Sequence, residues 1–197
     1  MVANAQKKWT VEEYLAFERG SEEKHEYYAG DIFAISGASR EHNLIVTNTI
    51  VTLGSQLGSN PCEVYPSDMR FKVNAIKYTY PDVSVVCGEP RFVDGEFDTL
   101  LNPTVIIEVL SDSTEDYDRG TKFKHYMGID SLQEYVLIAQ NEVRIDHCTR
   151  QSDGDWRISV SHTLESAIQL SSINCTILLA DVYRKVTFAS DDSLKDA

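Results

Sequence analysis

The chain has 197 residues, of which 42% are apolar and 25% charged, close to the average of globular domains, with only 10 Gly and 5 Pro. Collagen-like and Pro/Gly-rich disordered chains are excluded, and no apolar run approaches the roughly 18 residues of a membrane span. A net charge of −13 argues against broad attraction to nucleic acid or anionic membrane, but leaves room for a local basic patch or a metal-assisted site.

The length predicts one domain over residues 1–190, with a disordered acidic tail at 191–197. Thr10 as N-cap and Glu13 three residues on form a capping box for a helix from Trp9 to Arg19. Two short strands, His25–Ala29 and Ile32–Ser36, follow. Ser39 opens an amphipathic helix, Arg40–Leu57, whose Leu44, Ile45, Ile50, Leu53 and Leu57 recur at helical spacing. Strands are then predicted at Cys62–Tyr65, Met69–Val73, Asp82–Cys87 and Thr104–Leu110, with Gly88–Pro103 read as a loop. Ser113–Thr114 and the acidic pair Glu115–Asp116 open a further helix ending near Met127. Strands Glu134–Ala139, Val143–Cys148 and Trp156–His162 and an apolar element at Cys175–Leu179 complete a mixed α/β pattern. No two of the four cysteines are close in sequence. With no secretory leader pattern, reduced buried thiols in a cytoplasmic protein are expected.

Two carboxylates are poor choices for packing. Glu108 interrupts the run Val105–Leu110, which is apolar enough to be buried on both faces. A buried carboxylate costs several kcal/mol unless it is paired or metal-bound. Asp82 follows Pro81 at the start of another apolar strand. If the strands are neighbours, Asp82 and Glu108 with the Val109 carbonyl make a hard-oxygen site for Mg²⁺, which Mn²⁺ can replace. A structural ion pair for Glu108 is the competing reading.

Pro81–Asp82, Ile107–Glu108–Val109–Leu110–Ser111, Asp118–Arg119–Gly120–Thr121–Lys122, Tyr126 and Glu134–Tyr135, in this order and spacing, resemble the Uma2 (DUF820) family of the PD-(D/E)XK nuclease superfamily, common in cyanobacteria. His25–Glu26–Tyr27 with Gly30, and Glu41–His42, extend the resemblance over roughly residues 10–180. It implies a restriction endonuclease-like core at about residues 39–140, a mixed central sheet flanked by helices. Asp82 and Glu108 would be metal ligands. Leu110 stands where the superfamily motif has Lys, and the resemblance suggests that Lys122 has taken over from the next helix, with Asp118 at i−4 on the same face and Lys124 in reserve. Glu26, His42, Asp68 and Ser111 are supporting candidates. Tyr14, Tyr27, Tyr28, Tyr126 and Tyr135 read as core and rim rather than base-stacking platforms.

The resemblance implies a metal-dependent endonuclease acting on DNA phosphodiester bonds, with Lys122 positioning or activating water. Homodimerisation is expected because duplex cleavage needs two cuts. The segment Ile173–Val182 can supply the interface or complete the sheet. A nuclease-fold module without catalysis, binding nucleic acid or a protein partner, is the alternative that Leu110 favours. An acidic structural protein with carboxylates only in ion pairs is the third.

Overall fold

The computed structural model describes residues 7–111 and 115–188. The predicted acidic tail and the Ser113–Thr114 helix start lie outside the described residues. Helix α1 (Val11–Glu18) opens with the expected capping box, Thr10 Oγ1 accepting from Glu13 N and the Glu13 carboxylate from Thr10 N. Strands β1 (His25–Tyr28) and β2 (Asp31–Ala34) form a hairpin through Ala29 and Gly30, both with positive φ (49° and 93°). That is the backbone of a two-residue turn matched to strand twist. Helix α2 (Arg40–Leu57) begins where Ser39 Oγ accepts from His42 N.

Beyond α2 the chain is largely strand: β3 (Cys62–Pro66), β4 (Arg70–Asn74), β5 (Lys77–Thr79), β6 (Val83–Cys87), β7 (Thr99–Leu100) and β8 (Val105–Leu110). A helical run follows: α3 (Glu115–Tyr117), a π-helical turn (Asp118–Lys122) and α4 (Phe123–Tyr126). Then come β9 (Glu134–Ala139), β10 (Ile145–Arg150), β11 (Trp156–Ser161), β12 (Ala167–Leu170), β13 (Cys175–Leu178) and α5 (Leu179–Val182).

The architecture is mixed α/β. A six-stranded sheet has the order β11-β10-β9-β8-β6-β3, in which β8 runs parallel to β9 and antiparallel to β6. A five-stranded sheet has the order β2-β1-β5-β4-β7, and β12 pairs with β13 alone. Every residue of β8 and β9 is buried. Because side chains alternate across a strand, Val105, Ile107 and Val109 pack on one face with Ile45, Leu53 and the C-terminal elements. Ile106 and Leu110 pack on the other with Phe71, Leu100, Tyr126 and Tyr135. By the same alternation Glu108 belongs to the second face, beneath the helical run.

The structure corrects two expectations. The segment read as a loop, Gly88–Pro103, contains β7, which pairs in parallel with β4. Cys62 and Cys87 are not free thiols: they face each other across β3 and β6 and form a disulfide. Cys148 and Cys175 are free and buried, as expected. Of the segment Ile173–Val182, which could supply an interface or complete the sheet, Ile173, Cys175, Ile177, Leu179 and Val182 are buried in the core with Ile45 and Leu53 of α2 and the central sheet, while Leu178 is 37% exposed.

Candidate active site

The register of β6 and β8 pairs Val83 with Ile107. Continued by one residue, it sets Asp82, just before β6, opposite Glu108 within β8. Asp82 Oδ2 accepts the Val109 backbone N–H at 2.7 Å and lies 3.2 Å from His42 Nε2. The end of one strand and the start of α2 thus hold this carboxylate, and Ser39 fixes the helix start that carries His42. His42 Nδ1 is buried and has no hydrogen-bond partner among the described residues.

Glu108 is 3% exposed. Its Oε1 receives Lys122 Nζ at 2.8 Å and the Tyr126 hydroxyl at 3.0 Å. Lys122 also stands 3.4 Å from Asp118 Oδ1 and 3.8 Å from Glu26 Oε1. Glu26 is held in turn by the Thr79 hydroxyl. The π-helical turn carries both Asp118 and Lys122, and π turns inside α-helices occur often at functional sites. Burial pushes the Glu108 carboxyl up to about 8, with Lys122 pulling it down and Asp118 and Asp82 pushing it further up. Burial works against the Lys122 ammonium, but Glu108, Glu26 and Asp118 outweigh it and hold Lys122 well above the ordinary lysine value. Lys122 is therefore a fixed cation.

The structure brings Asp82, Glu108, Lys122, Glu26, His42 and Asp118 into one network. Val109 contributes its backbone N–H to Asp82, while its side chain packs on the opposite face. Ser111 is half-buried after β8, and its carbonyl accepts from Glu115 N at the helix start. Asp68 is exposed and pairs with Lys24 at 3.0 Å, with no ion pair to the central lysine. Lys124 is exposed on α4, in contrast to the buried Lys122. Tyr126, read from sequence as core or rim, is a direct partner of Glu108. The sequence signal was available: Asp118, Lys122 and Tyr126 recur every four residues.

The donor chemistry fits a hard divalent cation. Asp82 and Glu108 are oxygen donors facing each other across adjacent segments, and His42, whose Nε2 meets Asp82, keeps a buried Nδ1 with no partner among the described residues, which suits a site finished by a ligand or its water shell. Among the described residues no group of three or more His, Cys, Asp or Glu side chains is arranged to hold a metal. An ion here would take two carboxylates, backbone carbonyl oxygen and water, a mode suited to Mg²⁺.

The fold matches that of a solved structure from Anabaena variabilis described as a "putative nuclease belonging to DUF820". The TM-score is 0.71 at 18% identity, over 89% of this chain and 97% of that one. Two proteins of Synechocystis sp. are more similar in sequence: slr1290, 37% identical over 92% of this chain and 94% of its own length, and sll1609, 38% identical over 81% and 90%. Both are described as uncharacterized. The Uma2 family, described as "Putative restriction endonuclease", matches residues 11–178, and the chain belongs to that family.

Proposed function

We propose that this protein is a Mg²⁺-dependent endonuclease that hydrolyses DNA phosphodiester bonds. The observation that carries the reading is the buried Glu108 within an otherwise apolar strand, next to Asp82 and in contact with Lys122. Family membership and the shared nuclease-family fold support it.

Asp82, Glu108 and the Val109 carbonyl would hold the ion. When bound, Mg²⁺ polarises the phosphodiester and lowers the pKa of its water. The chain's own residues do the rest. His42 and the Val109 N–H orient Asp82. Tyr126 orients Glu108. Lys122 stays protonated, so its role is to donate hydrogen bonds to the attacking water and to offset negative charge growing on the phosphoryl oxygens, not to abstract a proton. Asp118 and Glu26 keep that ammonium charged and aimed. The net charge of −13 disfavours indiscriminate DNA binding and suits a selective enzyme.

Cutting both strands of a duplex calls for two such sites, which a homodimer supplies. No helix among the described residues is long and apolar enough to cross a membrane. The test is nicking of supercoiled plasmid in Mg²⁺ and in Mn²⁺ by the wild type, Asp82→Asn and Lys122→Met. Cleavage by the wild type that is lost in both folded variants supports the proposal. Equal cleavage by all three overturns the residue assignment. No cleavage by wild type in either metal, across sequence-diverse plasmids, favours a binding module without catalysis.

A further inference from the structure

Lys77 is the fully buried lysine of β5, 1% exposed. Its Nζ has no carboxylate within ion-pair distance among the described residues. Its contacts are neutral: Tyr117 Oη at 2.6 Å and His125 Nδ1 at 2.9 Å, with the Tyr117 and Tyr28 rings flanking it at 4.9 and 5.8 Å from their centroids. A buried cation with no carboxylate in contact is costly, and burial pulls the Lys77 ammonium down to about 8 although Glu26, Glu108 and Asp118 favour its charge from farther off.

The contacts fix where the protons go. An ammonium has donors and no acceptor. Tyr117 Oη therefore accepts from Lys77 and keeps its own O–H to give elsewhere. His125 Nδ1 accepts too, so the neutral ring carries its proton on Nε2. Burial and the neighbouring Lys77 charge both lower the His125 pKa, which favours that neutral ring. Tyr117 is 40% exposed and His125 half-buried. The result is two remaining donors on partly exposed side chains, backed by a buried positive charge. Tyr28, itself exposed, walls one side with its ring 5.5 Å from that of His125. Tyr117 directly precedes Asp118, and Lys77 is within electrostatic reach of Glu26, Lys122 and Glu108.

We infer that Tyr117 and His125, polarised from beneath by Lys77, form a phosphate-binding subsite beside the candidate metal site. It would grip a backbone phosphodiester of the nucleic acid next to the one being cut. This assignment of the ligand rests on the nuclease reading, while the anion site itself does not. Two donors match in number a singly charged phosphodiester, which accepts two hydrogen bonds through its two non-bridging oxygens.

Two measurements test it. The first follows the imidazole resonances of His125, assigned by their loss in His125→Leu, while dimethyl phosphate is titrated into the metal-free protein. The second measures anisotropy of a fluorescein-labelled DNA oligonucleotide in Ca²⁺, with wild type, Tyr117→Phe and His125→Leu. Both substitutions are at the rim, and thermal melting verifies that they fold. The expected result is a saturable shift of the His125 resonances and a Kd weakened by about tenfold for each lost donor. No shift together with an unchanged Kd overturns the subsite. An unchanged Kd in variants of an enzyme that still nicks plasmid removes the subsite and leaves the nuclease reading standing. A His125 shift with dimethyl phosphate in a protein that neither binds nor cuts DNA keeps the anion site and removes the nuclease reading.

Discussion

Lys122 Nζ lies 2.8 Å from Glu108 Oε1, joining a π-helical turn to the central strand of the six-stranded sheet through two side chains that water barely reaches. Each group makes the other tolerable. Removing Lys122 also takes away the cation facing Asp118 and Glu26 and leaves those carboxylates uncompensated, which typically costs about 3 kcal/mol or more. Lys122→Met should therefore lower the urea-unfolding free energy by roughly that amount at neutral pH. Glu108→Gln leaves an ammonium that still has Asp118 and Glu26 nearby and should cost less. The double variant should be less destabilised than the sum of the two. Strict additivity in the double-mutant cycle would show that the pair is not coupled.

The same carboxyl predicts how metal affinity depends on pH. Burial pushes Glu108 up to about 8, so without metal it tends to carry a proton at neutral pH. Holding a cation requires the ionised form, so binding releases that proton. Below about pH 8, apparent Mg²⁺ affinity should weaken by up to about tenfold per pH unit, and nicking at limiting Mg²⁺ should rise with pH over the same window. Calorimetry in two buffers of different ionisation enthalpy reads the released proton directly. Affinity independent of pH between 6 and 8 would contradict the protonated state of Glu108.

Glu108 was legible in the sequence because a single charge inside Val105–Leu110 has no packing rationale, and Asp82 because it heads the neighbouring apolar run. The long helix and its Ser39 cap were legible from local spacing. What was not legible depends on pairing between distant segments. Lys77–Tyr78–Thr79 looks half polar, yet β1 and β4 flank it and bury all three residues. The two-residue β7 exists only because β4 lies beside it. Cys62 and Cys87 are 25 residues apart and meet only through the β3–β6 register. Tyr126 had the right spacing, but its contact with Glu108 needs the run 115–126 to lie across the second sheet face.

Glu134, part of the motif set, serves a structural pair in this fold. It is 3% exposed at the start of β9, bonded to the His147 ring on β10 and accepting from the Ser172 backbone N–H at 2.7 Å. It thereby ties the β12–β13 turn to the central sheet. Burial alone would raise its pKa, but the bonds from His147 and Ser172 prevail and lower it below the usual 4.5. A depressed native value means stability that is complete above the unfolded pKa and lost as pH falls through the native one. Glu134→Gln should cost roughly 2 kcal/mol near neutral pH and make the acid limb of the unfolding curve shallower. An acid limb identical to wild type would remove Glu134 from the acid-sensitive groups.

The Cys62–Cys87 disulfide staples β3, an edge of the six-stranded sheet, to β6, the strand that leads directly out of Asp82. It closes a loop spanning β4 and β5, with 25 residues of sequence separation. Loop-closure entropy puts its stabilisation at about 3 kcal/mol. The ladder between the strands runs from Cys62↔Cys87 to Pro66↔Val83, so it holds the Asp82 end of β6 at its far end without help from the disulfide. Reduction should therefore lower the unfolding free energy by about that amount while leaving metal affinity within about twofold, because the Asp82 contacts to Val109 and His42 do not pass through sulfur. The comparison is between Cys62→Ser/Cys87→Ser and oxidised wild type, each followed by urea unfolding and Mg²⁺ calorimetry. A tenfold loss of affinity in a folded double variant would show that the disulfide, rather than the ladder, sets the position of Asp82.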